Sequence, residues 1–290
     1  VSLPADRTAL AQQVAVLVDL PGVRERAEAA REACTRLRFH EALRRRIPEA
    51  SAESRVRGAQ ASAALDGANL PLTAVREHMS GARGWPPDLD PGMRVVRGAV
   101  GATAESERVV ALVRTAPLQA LARLHVAAAS SLVASDRLGR PRRAGEPCDE
   151  LVDLGPAPPA SVVSIRLANL ADLVIALSSG PARPPAVVIA SLVHAEIACI
   201  RPFANGNGLV ARAMERALVQ ALGLDPTGVA VPEAGHVIGG GPAYLGALTA
   251  YSEGSAAGVG LWLRQAADAV VAGVGEGMRI CDAVRAGRLS

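Results

Sequence analysis

Lysine is absent from all 290 residues, so the positive charge is carried by arginine, and the formal net charge is only +3. A balance that mild marks no polyanion-binding face. The one dense basic run, Arg44-Arg45-Arg46, has no aromatic residues interleaved with it. It reads as a solvated helix end, where cations suit the dipole, rather than as a nucleic-acid platform. Aromatic residues are also scarce, at 2 % of the chain against 50 % apolar residues overall. A core is available, but it must be packed from Ala, Val and Leu, which favours close helix–helix contact over a β-sandwich. Cysteine is limited to Cys34, Cys148, Cys199 and Cys281. They are far apart and form no CxxC or Cys/His pair, which argues against a zinc site and a disulfide framework. Long uninterrupted apolar runs are missing too: Arg166 breaks one, and Pro184, Pro185, His194 and Glu196 break another. Neither reads as a membrane span, and no signal pattern opens the chain. The expectation is a cytoplasmic protein in a reducing compartment.

Ala, Leu and Arg, strong helix formers, dominate most windows. Residues 5–80 read as helical, with Leu10, Val14, Leu17 and Val18 at helical spacing. A helix over 22–46 is expected to stop before Pro48, and another over 51–66 to end at Gly67. The Pro/Gly-rich stretch 81–92 divides an N-terminal helical segment, 1–80, from a core, 93–275. Helix returns over 93–135 with a new start at Pro117. Gly and Pro punctuate 135–160, and a β-hairpin or extended flap is expected around Leu138–Leu154. Helices follow at 161–178, 185–200, 208–222, 241–252 and 259–274, and 276–290 reads as a C-terminal tail. The fold class is therefore all-α with one small β excursion.

The informative stretch runs from His194 to Arg212. Pro202 ends one helix, Gly206-Asn207-Gly208 turns sharply, and Ala211-Arg212-Ala213 starts another. A glycine-rich turn feeding a helix N-terminus leaves unpaired N–H groups at the positive end of the dipole, a setting that suits phosphate. Arg212 and Arg201 flank it. An ordinary interhelical turn, with Asn as its cap, accounts for the same glycines.

Arg201-Pro-Phe-Ala-Asn205-Gly206-Asn207-Gly208-Leu209-Val-Ala-Arg212 resembles the Fic-family motif His-Pro-Phe-x-Asp/Glu-Gly-Asn-Gly-Arg-x-x-Arg in spacing and in six of its residues. His194, seven residues upstream, Pro184-Pro185, Tyr244, Tyr251 and Trp262 add to the resemblance, as does Leu138–Arg142 at the start of a target-docking flap. It touches most of residues 50–270, although only the loop is specific. Ser62-Ala-Ala-Leu-Asp66-Gly67 is similar to the Ser/Thr-x-x-x-Glu-Gly/Asn motif by which many Fic proteins inhibit themselves. The resemblance implies a Fic-like helical bundle and a nucleotide ligand, ATP or another. It also implies that Asp66 pairs with Arg212, a protein target at the flap, and the homodimer common in the family.

Three positions depart from the family. Arg201 stands where the general base, a histidine, is expected, and a guanidinium has no lone pair to take a proton. Asn205 replaces the magnesium-binding acid, and a neutral amide is a poor magnesium ligand. Leu209 replaces a phosphate-contacting arginine, with the loss of a charge-assisted bond. The leading expectation is a nucleotide or other phosphate ligand held in an open bend by Asn205, Gly206, Asn207, Gly208 and Arg212, without ordinary AMP transfer. An active transferase with altered chemistry and a protein-interaction scaffold stand beside it. His194, two turns from the motif at about 10.5 Å, is expected to be a core histidine.

Overall fold

The computed structural model describes residues 7–150, 154–178 and 183–289. Among these all regular structure is helical. In chain order the helices are α1 (Arg7–Val18), α2 (Val23–Arg38), α3 (Ile47–Leu65), α4 (Leu72–Ser80), α5 (Pro91–Arg108), α6 (Pro117–Ala129) and α7 (Ala160–Leu177). There follow α8 (Ala186–Ile200), α9 (Asn207–Ala221), α10 (Pro232–Ile238), α11 (Gly240–Ser252) and α12 (Ala256–Arg285). Local chemistry sets several starts. Asp90 caps α5 by accepting from the Met93 N–H at 2.8 Å, and Ser255 caps α12 through the Gly258 N–H at 3.1 Å. Proline occupies the first turn of α3, α5, α6 and α10, where its missing N–H costs nothing.

A single apolar core runs from Val14 on α1 to Val284 on α12. At its centre lies α8, buried on every side except at Glu196 and Cys199. A helix apolar all round must be wrapped by others, and α7, α9, α11 and α12 pack around it. Trp262 of α12 is fully buried and donates its indole N–H to the Ser191 carbonyl at 2.8 Å. With so few aromatics, close packing falls to glycine. A Cβ at Gly98 would stand 2.3 Å from the Ala128 carbonyl oxygen, and one at Gly235 would stand 1.8 Å from that of Ala269. The backbones of α5 and α6, and of α10 and α12, touch at these points. By length and composition α7 is the one described helix apolar enough to cross a membrane; here Val163, Leu167, Leu170, Val174 and Leu177 face the core.

The structure corrects three expectations. The helix over 22–46 ends at Arg38: the His40 imidazole accepts from the Ala42 N–H at 3.2 Å and caps a 3-10 turn over Glu41–Arg44. Pro48 then opens α3 instead of closing the helix before it. The tail from 276 is helix as far as Arg285, because Ile280, Cys281 and Val284 still have core to bury against. The β-hairpin is absent from the described part of 138–154; residues 151–153 lie outside the described residues. Pro141 and Pro147 have no N–H for a ladder. The segment instead lies along the α8–α9 turn, with the Arg142 N–H on the Pro202 carbonyl at 2.7 Å and the Asp149 N–H on the Ala204 carbonyl at 2.8 Å.

Gly235→Ala is expected to lower stability by about 3 kcal/mol, at the upper end of overpacking costs, because its neighbour is backbone and cannot rotate aside. Gly246→Ala, in the interior of α11 and with nothing within 4 Å of the new methyl, is expected to raise stability by about 0.5–1 kcal/mol. Urea denaturation of the two variants checks both signs.

Candidate functional site

The turn between α8 and α9 begins with strain. Arg201 has φ +44°, the only positive φ among the described non-glycine residues, and its N–H still reaches the Ile197 carbonyl at 3.0 Å. Pro202 cannot extend the helix. Gly206, at φ +80°, turns the chain into α9. Asn207 clamps the loop from inside: its side-chain oxygen accepts from the Phe203 N–H at 2.8 Å and its amide donates to the Phe203 carbonyl at 2.9 Å. The buried His125 ring stacks on Phe203 with centroids 3.8 Å apart. Its Nε2–H donates to the Asn205 carbonyl at 3.2 Å, and its Nδ1 accepts from the Gly139 N–H at 2.9 Å. Burial pushes the His125 pKa down to about 4, so the ring stays neutral and carries both bonds.

The N-terminus of α9 is filled. Glu150, at the end of the segment laid over the turn, accepts from the Asn207 N–H at 2.8 Å and from the Asn207 side-chain amide. A carboxylate thus stands where the sequence places an external anion, and the expectation of an open bend is corrected. Burial and the nearby Asp66 carboxylate raise the Glu150 pKa above its ordinary value, outweighing the Asn207 donors and Arg212. The space left among Asp66, Glu150, Arg201, Asn207, Gly208 and Arg212 is about 20 Å³, room for about one water.

Arg212 is 1 % exposed and fully engaged. Its Nη2 donates to Asp66 Oδ1 at 2.8 Å and to the Ser62 carbonyl at 3.0 Å, its Nε to the Ser62 hydroxyl at 2.8 Å, and its Nη1 to the Tyr244 hydroxyl at 3.3 Å. Burial works against its charge, but Asp66 and Tyr244 more than compensate and the pKa rises. Gly208 leaves room for this pair: a Cβ there would come within 3.1 Å of both Arg212 Nη1 and Asp66 Oδ1. Gly67, at φ +80°, turns the chain out of α3 just past Asp66.

The other predicted residues serve different ends. Arg201, 7 % exposed, donates from Nη1 and Nη2 to the Gly155 and Pro156 carbonyls, both at 2.7 Å. Asn205 spends its amide on the Asp149 carbonyl, which fastens the overlying segment. Leu209 is 1 % exposed and sits against Gly98 in the core. Beside Arg201 a second cavity of about 430 Å³ opens, lined among others by Arg166, Glu196, Cys199, Tyr251 and Leu248.

Sequence reading missed two features. Glu150 carries no motif signal; only its position within the Pro/Gly-punctuated stretch hinted that it could reach the turn. The second feature lies behind Tyr244. His194 is a core residue: its Nε2 shares a hydrogen bond with the Tyr244 hydroxyl at 2.8 Å and its Nδ1 meets Glu215 Oε2 at 2.6 Å. His236 Nε2 reaches the same oxygen at 3.0 Å. The spacing rules that argued against zinc look for cysteine pairs in sequence, whereas these three side chains come from three helices.

Asp66→Asn keeps the shape but removes the countercharge of a buried guanidinium. Breaking such a pair costs about 3–5 kcal/mol when nothing else answers the charge. Ser62 and Tyr244 still answer it here, so a loss of about 2 kcal/mol is expected. Ser62→Ala, which removes one hydrogen bond to a charged group, is expected to lose about 1.5 kcal/mol. Thermal denaturation of both variants measures these losses.

No protein-family model matches the sequence, and no curated protein is similar to it at a significant level. Solved structures do match. A Fic family protein from Desulfovibrio desulfuricans G20 is similar with a TM-score of 0.64 and 24 % identity, over 92 % of this chain and 74 % of that one. Fic-1 from C. elegans is similar with a TM-score of 0.67 and 16 % identity, over 91 % of this chain and 73 % of that one. At these identities the likeness is one of fold, and the chain has the all-α fold of Fic proteins over more than nine-tenths of its length.

Proposed function

We propose that this Fic-fold chain binds a phosphate-bearing ligand, a nucleotide such as ATP, at the N-terminus of α9, and that it does so without transferring AMP. The observation that carries the reading is the Glu150 carboxylate on the Asn207 N–H. The turn already selects an anion, and the protein supplies its own. A phosphate group has the same charge sign and more acceptor oxygens, and it would take that place once Glu150 withdraws. The 430 Å³ cavity beside Arg201 offers room for the rest of such a ligand.

Transfer chemistry is poorly served. Arg201 has no lone pair, and both of its terminal nitrogens are engaged by carbonyls. Magnesium does not fit the position its resemblance implies: Asn205 presents an amide there, already turned to Asp149. A second reading, a scaffold with a permanently closed pocket, is favoured by the 20 Å³ that remain at the turn.

Calorimetry with ATP, ADP and inorganic phosphate separates the two. Glu150→Ala is expected to bind at least tenfold more tightly than the native chain. No heat from Glu150→Ala with any of the three would sink the binding reading and leave the scaffold. The pH dependence follows from the same contact. Docking raises the Glu150 pKa above the ordinary 4.5, so the docked carboxyl holds a proton more tightly than the free one. Docking is strongest below that value and weakens as pH rises through the docked pKa. Ligand affinity of the native chain should therefore climb with pH over that interval relative to Glu150→Gln, measured with the same ligand. Arg201→His alone is expected to give no labelled band with radiolabelled ATP and lysate, since Asn205 and Leu209 remain. A band would favour the transferase.

A further inference from the structure

Away from the anion site, three helices bring two imidazoles and a carboxylate to one point. His194 of α8, Glu215 of α9 and His236 of α10 are 0 %, 1 % and 1 % exposed, and their ligand-type atoms all lie within 4.8 Å of one another. Both imidazoles turn a nitrogen to the same oxygen, Glu215 Oε2, at 2.6 and 3.0 Å. The other oxygen, Oε1, is buried and has no partner. A bare acceptor away from water costs about 1–3 kcal/mol, and more when it is charged. The neighbouring arginines do not answer it: Arg212 is held by Asp66 and Ser62, and Arg216 by Glu233 and Ser54.

Two kinds of cation could balance Glu215. A proton on His236 restores neutrality but brings no donor to Oε1. An ion chelated by both carboxylate oxygens resolves the charge and the orphaned oxygen together. We infer that His194 Nδ1, His236 Nε2 and the two oxygens of Glu215 form a buried site for a divalent transition metal of the zinc type. Two imidazoles and a carboxylate suit zinc and its neighbours, whereas magnesium and calcium want oxygen throughout. The Tyr244 hydroxyl on His194 Nε2 fixes that ring with Nδ1 inward, the usual part of an outer partner. His236 Nδ1 has no partner with or without the ion and does not discriminate.

Around zinc, donors from separate residues at about 2.0–2.1 Å stand about 3.3 Å apart, whereas the two oxygens of one carboxylate keep their own shorter spacing. Seating the ion therefore spreads the present contacts by less than an ångström. The rings of Tyr244 and Trp262 pack against both histidines and leave no position for substrate. The ion is structural: it ties α8, α9 and α10 together behind Arg212. This inference does not depend on ligand binding at the turn.

Because the site is sealed, metal must be offered during folding. The full chain is unfolded in guanidinium, refolded with Co²⁺ or Zn²⁺, and desalted. Stoichiometric retained metal is expected, with the strong visible bands of four-coordinate Co²⁺, bleached when Zn²⁺ is supplied during refolding instead. His236→Asn should refold with native helical dichroism and lose the bands. If that variant does not fold, the native chain's metal content and Co²⁺ spectrum decide alone. A native chain that refolds fully and keeps neither metal would overturn the site, as would His236→Asn retaining the bands or an NMR titration showing an imidazolium at His236 in chain refolded with Zn²⁺.

Discussion

A guanidinium removed from water has to be answered on every side, and much of this site follows from how Arg212 is answered. It enters from the first turns of α9 and is met by Ser62 and Asp66 at the end of α3 and by Tyr244 of α11. Those contacts fix three helices around the turn. A Cβ at Gly208 would crowd the pair at 3.1 Å, and α3 ends next to Asp66, whose carboxylate faces inward. The N-terminal helices are therefore part of the core rather than an appendage.

The same rule, that buried charge recruits partners, explains the turn itself. Helix α9 begins with an N–H that points into protein, and Glu150 supplies the acceptor. Asp66 and Glu150 both lie at the small space beside Arg212, so one guanidinium is shared by two acidic side chains in a space of about 20 Å³. An incoming anion must replace a charge already there. Affinity at such a site is set by the difference between two anions, and the segment that delivers Glu150 becomes part of the binding equilibrium. That segment is held through the Arg142 and Asp149 N–H groups and the Asn205 amide, all three of them contacts with the turn it covers.

Strain and substitution concentrate at one end of the turn. Arg201 adopts a left-handed backbone that costs a side chain of its size about 1–3 kcal/mol, and its two carbonyl bonds reach the stretch at Gly155 and Pro156. Arg201, which the resemblance places at the base position, thus works as a strut between the turn and the segment beside it. Leu209 shows the companion change: where the resemblance places a phosphate-binding arginine, a leucine fills the contact between α5 and α9.

The sequence by itself determined the helical class, most helix positions in the second half, and the helix–turn–helix carrying Gly206-Asn207-Gly208. These are local properties: propensity, the missing N–H of proline and the conformational freedom of glycine. The end of α2, the onward run of α12 and the absence of a hairpin were misread because His40 capping, core contact at Ile280 and Val284, and the carbonyls of a distant turn decided them. Glu150 at the helix N-terminus and the meeting of His194, Glu215 and His236 were legible only in three dimensions. A hydrogen bond depends on distance in space, and nothing in the spacing of residues 150 and 207, or of 194, 215 and 236, records that they touch.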